Sequence, residues 1–130
     1  MLQKKKKKGK IITPKKAIKK ELDSLWSKAV RLPGKCAVCS STNRLNAHHI
    51  FGKGAFKALR WDVENGLCLC VYHHLFSNKS SPHRGSVGFQ KWLDENKDLT
   101  RLELRKRNRP NMDMFSLEMK KKELELLLKK

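Results

Sequence analysis

Four short runs hold most of the chemically versatile side chains in this sequence: Cys36-Ala-Val-Cys39, Ala47-His48-His49-Ile50, Glu64-Asn65-Gly66 and Cys70-Val-Tyr-His73-His74. Structural zinc takes four thiolate or imidazole ligands at the corners of a tetrahedron, and a two-residue gap lets a tight turn aim two of them at one ion. Cys36 and Cys39 have that gap, and so do Cys70 and His73, which makes these four the expected zinc ligands. Cys68 competes for the fourth corner. On a strand it would face the same side as Cys70, but only Cys70 opens a two-residue gap toward a helix start. A redox role for Cys36 and Cys39 is the alternative, but no βαβ pattern surrounds them.

His48 and His49 call for a different chemistry. Neutral imidazole can hold a divalent cation or accept a proton near pH 7. Neighbours on a strand point to opposite faces, so the pair is not expected to chelate one ion together. A division of labour fits better, with one ring on the metal and the other acting as base. Gly52 and Gly54 would let the strand end or twist so that both reach one phosphate. Taken alone, two adjacent histidines read first as ordinary polar surface.

With their neighbours, Ala47-His48-His49-Ile50, Asp62-x-Glu64-Asn65-Gly66 and Cys70-x-x-His73-His74 resemble the HNH (His-Me finger, ββα-metal) endonucleases, and in particular small phage-type members with a Cys-bound zinc. The resemblance covers roughly residues 26–93. It implies a ββα-metal core in which His49 activates water, His48 and His74 ligate the catalytic cation, and Asn65 braces the loop and orients His49. Many relatives carry a further histidine one helical turn later, where this chain has Asn78. His83, displaced by an insertion containing Pro82, is the expected third ligand, with Asn78 as the fallback. The implied cofactors are a structural Zn²⁺ and a catalytic Mg²⁺ or Mn²⁺ that stabilises the scissile phosphate and the leaving 3′ oxygen.

Composition points to the same kind of partner. Thirty-one Lys and Arg against twelve Asp and Glu put a formal charge of +19 on 130 residues, which suits a dense phosphate backbone. A lysine-favouring genome would account for the terminal lysines but not for the motifs. Nucleic acid is therefore the expected partner, and by the resemblance DNA, bound through its phosphates without base reading, with Lys57 and Arg60 as local contacts or as solvated charges. No run approaches the roughly 20 apolar residues of a membrane span, and no apolar stretch follows Lys4–Lys8 as a leader would require. A reducing cytoplasm is expected, that of a phage host if the resemblance extends to origin. The sequence leaves monomer and homodimer open. The non-catalytic alternative is a zinc-stabilised nucleic-acid-binding accessory protein.

The elements that must position these residues follow from periodicity. The fold class expected is α+β: a small ββα-metal core with a zinc knuckle, flanked by N- and C-terminal helices. Residues 1–12 read as a disordered Lys-rich tail, 13–109 as the nuclease domain with its core at about 35–93, and 110–130 as a C-terminal helical extension. The tail could grip phosphates or remain a solvated end.

Thr13-Pro14 opens a helix whose apolar positions Ile18, Leu22, Leu25, Trp26, Ala29 and Val30 recur to about Leu32, before Pro33-Gly34. Core packing is the expected role of that stripe. Residues 44–50 and 66–71 read as strands around a loop, with a helical start near His73. After a polar loop, Ser86 can cap a helix carrying Phe89, Trp92 and Leu93. Residues 99–107 add a short helix. The final helix, 116–130, aligns Leu117, Leu124, Leu127 and Leu128 and could dock on the core, pair with another chain or lie along DNA.

Overall fold

The structure, a computed structural model, describes residues 11–76 and 87–129. The first ten residues, the loop at 77–85 with Asn78 and His83, the capping position Ser86 and the terminal Lys130 lie outside the described residues. The chain is α+β, with a two-stranded antiparallel sheet among several helices.

Helix α1 spans Pro14–Val30. The Thr13 side chain accepts from the Lys16 amide at 3.3 Å, and Pro14 occupies the first helical position, where its missing N–H costs nothing. The helix ends at Val30, two residues short of the expected boundary, and Gly34 takes a φ of +71°, a backbone region that Gly enters without steric cost. Strands β1, Leu45–His49, and β2, Gly66–Cys70, pair with Leu45 opposite Cys70, Ala47 opposite Cys68, His48 opposite Leu67 and His49 opposite Gly66. Two 3₁₀ turns, Lys57–Leu59 and Val63–Asn65, give order to a segment that reads as loop in the sequence. A single wide helical turn, Tyr72–Phe76, follows β2. Helices α2, Val87–Asn96, α3, Thr100–Arg105, and α4, Met114–Leu128, complete the described chain. Helix α4 starts two residues earlier than periodicity suggests because the Asp113 carboxylate caps the Ser116 amide at 2.7 Å.

The alternation of the strands divides the core in two. On one side of the hairpin, Cys68 and Ala47 pack against α1 through Trp26, Ala29 and Val30, and Leu117 and Leu124 of α4 join the same cluster. Of the roles open to the C-terminal helix, docking is the one seen. Leu127 is not part of that contact and stays exposed. On the other side, Leu67 and Leu69 pack with Phe89 and Leu93 of α2. Fully burying a Val, Leu or Phe side chain contributes about 1.5–3 kcal/mol, so the hairpin is held from both faces.

Gly66 permits the first of these packings. A Cβ there would overlap the Val30 side chain and come within 3.0 Å of Trp26 Cζ2, so α1 can lie this close only over a glycine. Helix α3 buries Leu102 and is also tied by ion pairs. Arg105 bonds Asp62 at 2.6 Å and lies 3.8 Å from Glu64, and Arg101 reaches Glu64 at 3.4 Å. No helix among the described residues is long and apolar enough to cross a membrane.

Candidate functional site: a Cys/His metal cluster and a histidine centre

Cys36, Cys39, Cys70 and His73 come together with all four ligand atoms within 4.8 Å of one another. The turn after α1 brings in the first pair. Cys36 N–H donates to Ser41 O, Ser40 N–H donates to Cys36 O, and Ser40 takes a left-handed φ of 62° that closes the knuckle. The last residue of β2 and the wide turn after it bring in the second pair. Zinc–sulfur bonds of about 2.3 Å and zinc–nitrogen bonds of about 2.0–2.1 Å imply tetrahedral edges of about 3.5–3.8 Å. The observed edges are 3.7 Å for Cys39 Sγ to Cys70 Sγ, 3.9 Å for Cys36 Sγ to His73 Nδ1 and 3.2 Å for Cys70 Sγ to His73 Nδ1. The donor set and its spacing fit a structural zinc.

Burial raises the Cys36 thiol, but backbone N–H groups of Cys70, Cys39 and Val38 outweigh it and hold the thiol below its ordinary value, toward the thiolate that binds metal. The Val38 amide lies 3.4 Å from the sulfur. Cys68, the competitor, is not in the cluster. It sits opposite Ala47 beneath α1, and burial raises its thiol pKa, as befits an apolar core position.

The two histidines of β1 leave opposite faces of the hairpin. His48 faces α2: its ring centroid lies 5.3 Å from that of His74 and 5.9 Å from that of Phe89. His73 and His74 therefore divide between two sites, the first joining the cysteines and the second approaching His48. His83, expected as the third cation ligand, and its fallback Asn78 lie outside the described residues.

His49 faces α1. Its ring stacks on Trp26 with centroids 3.7 Å apart and planes inclined by 6°. Its Nε2 lies 2.8 Å from the Arg60 carbonyl oxygen. A carbonyl can only accept, so in the neutral ring Nε2 carries the proton and Nδ1 keeps a lone pair. Burial lowers the pKa of His49, and the Lys53 charge adds to that effect; the Arg60 carbonyl pulls the other way without cancelling them. The ring is thus biased toward the neutral form that can take a proton.

Asn65 is fully buried and ties the loop before it to the strand end. Its Oδ1 accepts from Phe51 N–H at 2.8 Å, and its Nδ2 donates to Phe51 O at 3.0 Å and to Leu59 O at 3.1 Å. Its own carbonyl accepts from Ile50 N–H. An amide side chain with two donors and an acceptor is what this bracing requires.

The two proposed DNA contacts fall differently. Lys57 is exposed, whereas the Arg60 guanidinium forms a bidentate ion pair with Asp23 on α1, at 3.0 and 2.8 Å. That pairing gives Arg60 a structural partner.

Two residues at this centre escaped the reading of the sequence. Asp23 carried no motif, and Trp26 looked like any other member of the apolar stripe. The only signal was their three-residue spacing on α1, and helical spacing by itself cannot tell a ring that packs on histidine from one that packs on leucine. No protein-family model, no curated protein and no solved structure matches the chain, so the chemistry of both sites rests on their own geometry.

Proposed function

We propose that this chain is a metal-dependent endonuclease of the HNH (His-Me finger, ββα-metal) type that hydrolyses DNA phosphodiester bonds, with a structural zinc at Cys36, Cys39, Cys70 and His73. The observation that carries the reading is the setting of His49. Its Nε2 is engaged by a backbone carbonyl, its ring is clamped by Trp26, and its pKa is lowered, so Nδ1 is the nitrogen left to accept a proton.

In this mechanism His49 Nδ1 takes a proton from the attacking water, and general base catalysis of this kind contributes about 10²–10⁴-fold. Asn65 keeps the 51–59 loop in register with the end of β1, which holds the Arg60 carbonyl within reach of the ring. His48, His74 and, by the resemblance, His83 would hold a divalent cation such as Mg²⁺ or Mn²⁺, whose chemistry is charge stabilisation at the scissile phosphate and the leaving oxygen. The convergence of the His48 and His74 rings supports two of those three ligands. Exposed Lys15, Lys16 and Lys20 on α1, together with Lys57, supply positive charge that binds a phosphate backbone without reading bases.

The test is incubation of the purified, zinc-loaded full chain with supercoiled plasmid. Nicked or linear product should form with added Mg²⁺ or Mn²⁺ and not without them. DNA binding with no cleavage under either ion would leave the non-catalytic binding protein as the better reading.

A further inference from the structure

Asp23 and Trp26 stand three residues apart on α1 and so share a face of the helix. Together they hold the chain from Arg60 to Asp62. Asp23 Oδ1 accepts from Arg60 Nε at 3.0 Å and from Trp61 Nε1 at 2.8 Å, while Oδ2 accepts from Arg60 Nη2 at 2.8 Å. One carboxylate thus grips two consecutive side chains. The Trp26 indole N–H donates to the Asp62 carbonyl at 2.8 Å.

The peptide carbonyl between the two gripped side chains is Arg60 O, which accepts from His49 Nε2. Helix α1 therefore fixes both the imidazole, by stacking, and the acceptor that selects its tautomer. Charge alone does not require this geometry. A surface Arg–Asp pair contributes little, whereas here the pair is bidentate and partly buried, with Arg60 25% and Asp23 33% exposed.

We propose that Asp23 is a positioning residue: by gripping Arg60 and Trp61 it aims the Arg60 carbonyl at His49 Nε2 and keeps the proton off Nδ1. Asp23 itself touches no reacting atom. Its effect on rate rests on the nuclease reading, but its effect on the tautomer does not.

The experiment is a two-bond ¹H–¹⁵N correlation spectrum of the zinc-loaded full chain labelled in histidine, recorded for the wild type, Asp23→Asn and Arg60→Lys, with plasmid cleavage measured in parallel. In the wild type His49 should show the Nε2–H tautomer. Both variants should give a tautomer mixture with unchanged zinc content, and kcat should fall by about 10- to 100-fold with KM little changed, the size expected when a reacting group is misplaced by about an ångström. Arg60→Lys keeps the charge and loses the fork, so it reports on Asp23's grip even if Asp23→Asn folds poorly. A wild-type His49 protonated on Nδ1, or variants whose His49 signals match the wild type, would overturn the proposal. A wild type with the expected tautomer and no cleavage would instead count against the nuclease reading alone.

Discussion

The two ends of the β1–β2 hairpin are built by different physics. At the Leu45–Cys70 end, four donor atoms converge on a point, and a metal ion would complete the structure. At the His49–Gly66 end, about 13 Å away over four rungs, a backbone carbonyl, a stacked indole and a buried amide fix the side chains. The first end needs only the right ligand types at the right spacing. The second depends on groups from α1 and from the 51–65 segment that have nothing in common in sequence. Consecutive His73 and His74 divide between the cysteine cluster and His48, which faces α2 on the other side of the hairpin from His49.

Breaking the metal end should have the largest effect. Cys36→Ser or Cys70→Ser is expected to lose both zinc and cooperative folding, because a structural zinc supplies folding free energy directly. Metal analysis together with thermal unfolding checks this. Cys68→Ser sharpens the contrast: it should retain one zinc per chain and cost about 1–3 kcal/mol for a hydroxyl placed in an apolar core. Zinc loss in Cys68→Ser with zinc retained in Cys70→Ser would reassign the fourth corner.

At the other end, His49→Ala should reduce plasmid cleavage by about 10²–10⁴-fold while leaving zinc content intact. Near wild-type cleavage by that variant would remove His49 from the base role.

Gly66→Ala should act through packing instead. The added methyl meets Val30 and Trp26, so α1 must shift, at a cost of about 1–3 kcal/mol. Chemical denaturation measures that cost. An unchanged unfolding midpoint would show that α1 can move aside freely and does not clamp His49.

The smallest effect expected is a pH dependence. Burial raises the Asp23 carboxyl pKa, but the hydrogen bonds from Arg60 and Trp61 outweigh it, so the folded value lies below the ordinary one. The stabilisation is then complete above the unfolded carboxylate pKa of about 3.9 and disappears as pH falls through the lower folded value. The Tm difference between wild type and Asp23→Asn should accordingly be constant near neutrality and shrink in acid below about pH 4. A difference that grows in acid would mean that the carboxylate is strained where it sits.

The helices flanking the hairpin could be read from the sequence because their signals are local. Thr13-Pro14 marked the start of α1, and the spacing of Ile18, Leu22, Trp26, Ala29 and Val30 marked its buried face. The start of α4 differs from its periodicity because a capping Asp113 four residues before the first periodic leucine, Leu117, looks like any loop aspartate. The segment between the strands read as loop because its 3₁₀ turns are too short for a hydrophobic period to register.

Sequence by itself marked the four residues that come together, Cys36, Cys39, Cys70 and His73, since two-residue gaps and ligand chemistry are properties of the chain. It also determined that His48 and His49 must part, because alternation along a strand is a local rule. Only the tertiary structure decided what each then meets. That Cys68 is core, that Arg60 is bound to Asp23, and that Trp26 rather than solvent covers His49 all follow from α1 lying against the hairpin over Gly66. The nitrogen of His49 that keeps its lone pair is set by a backbone carbonyl eleven residues away. Every residue type has that group, so no pattern of side chains could have announced it.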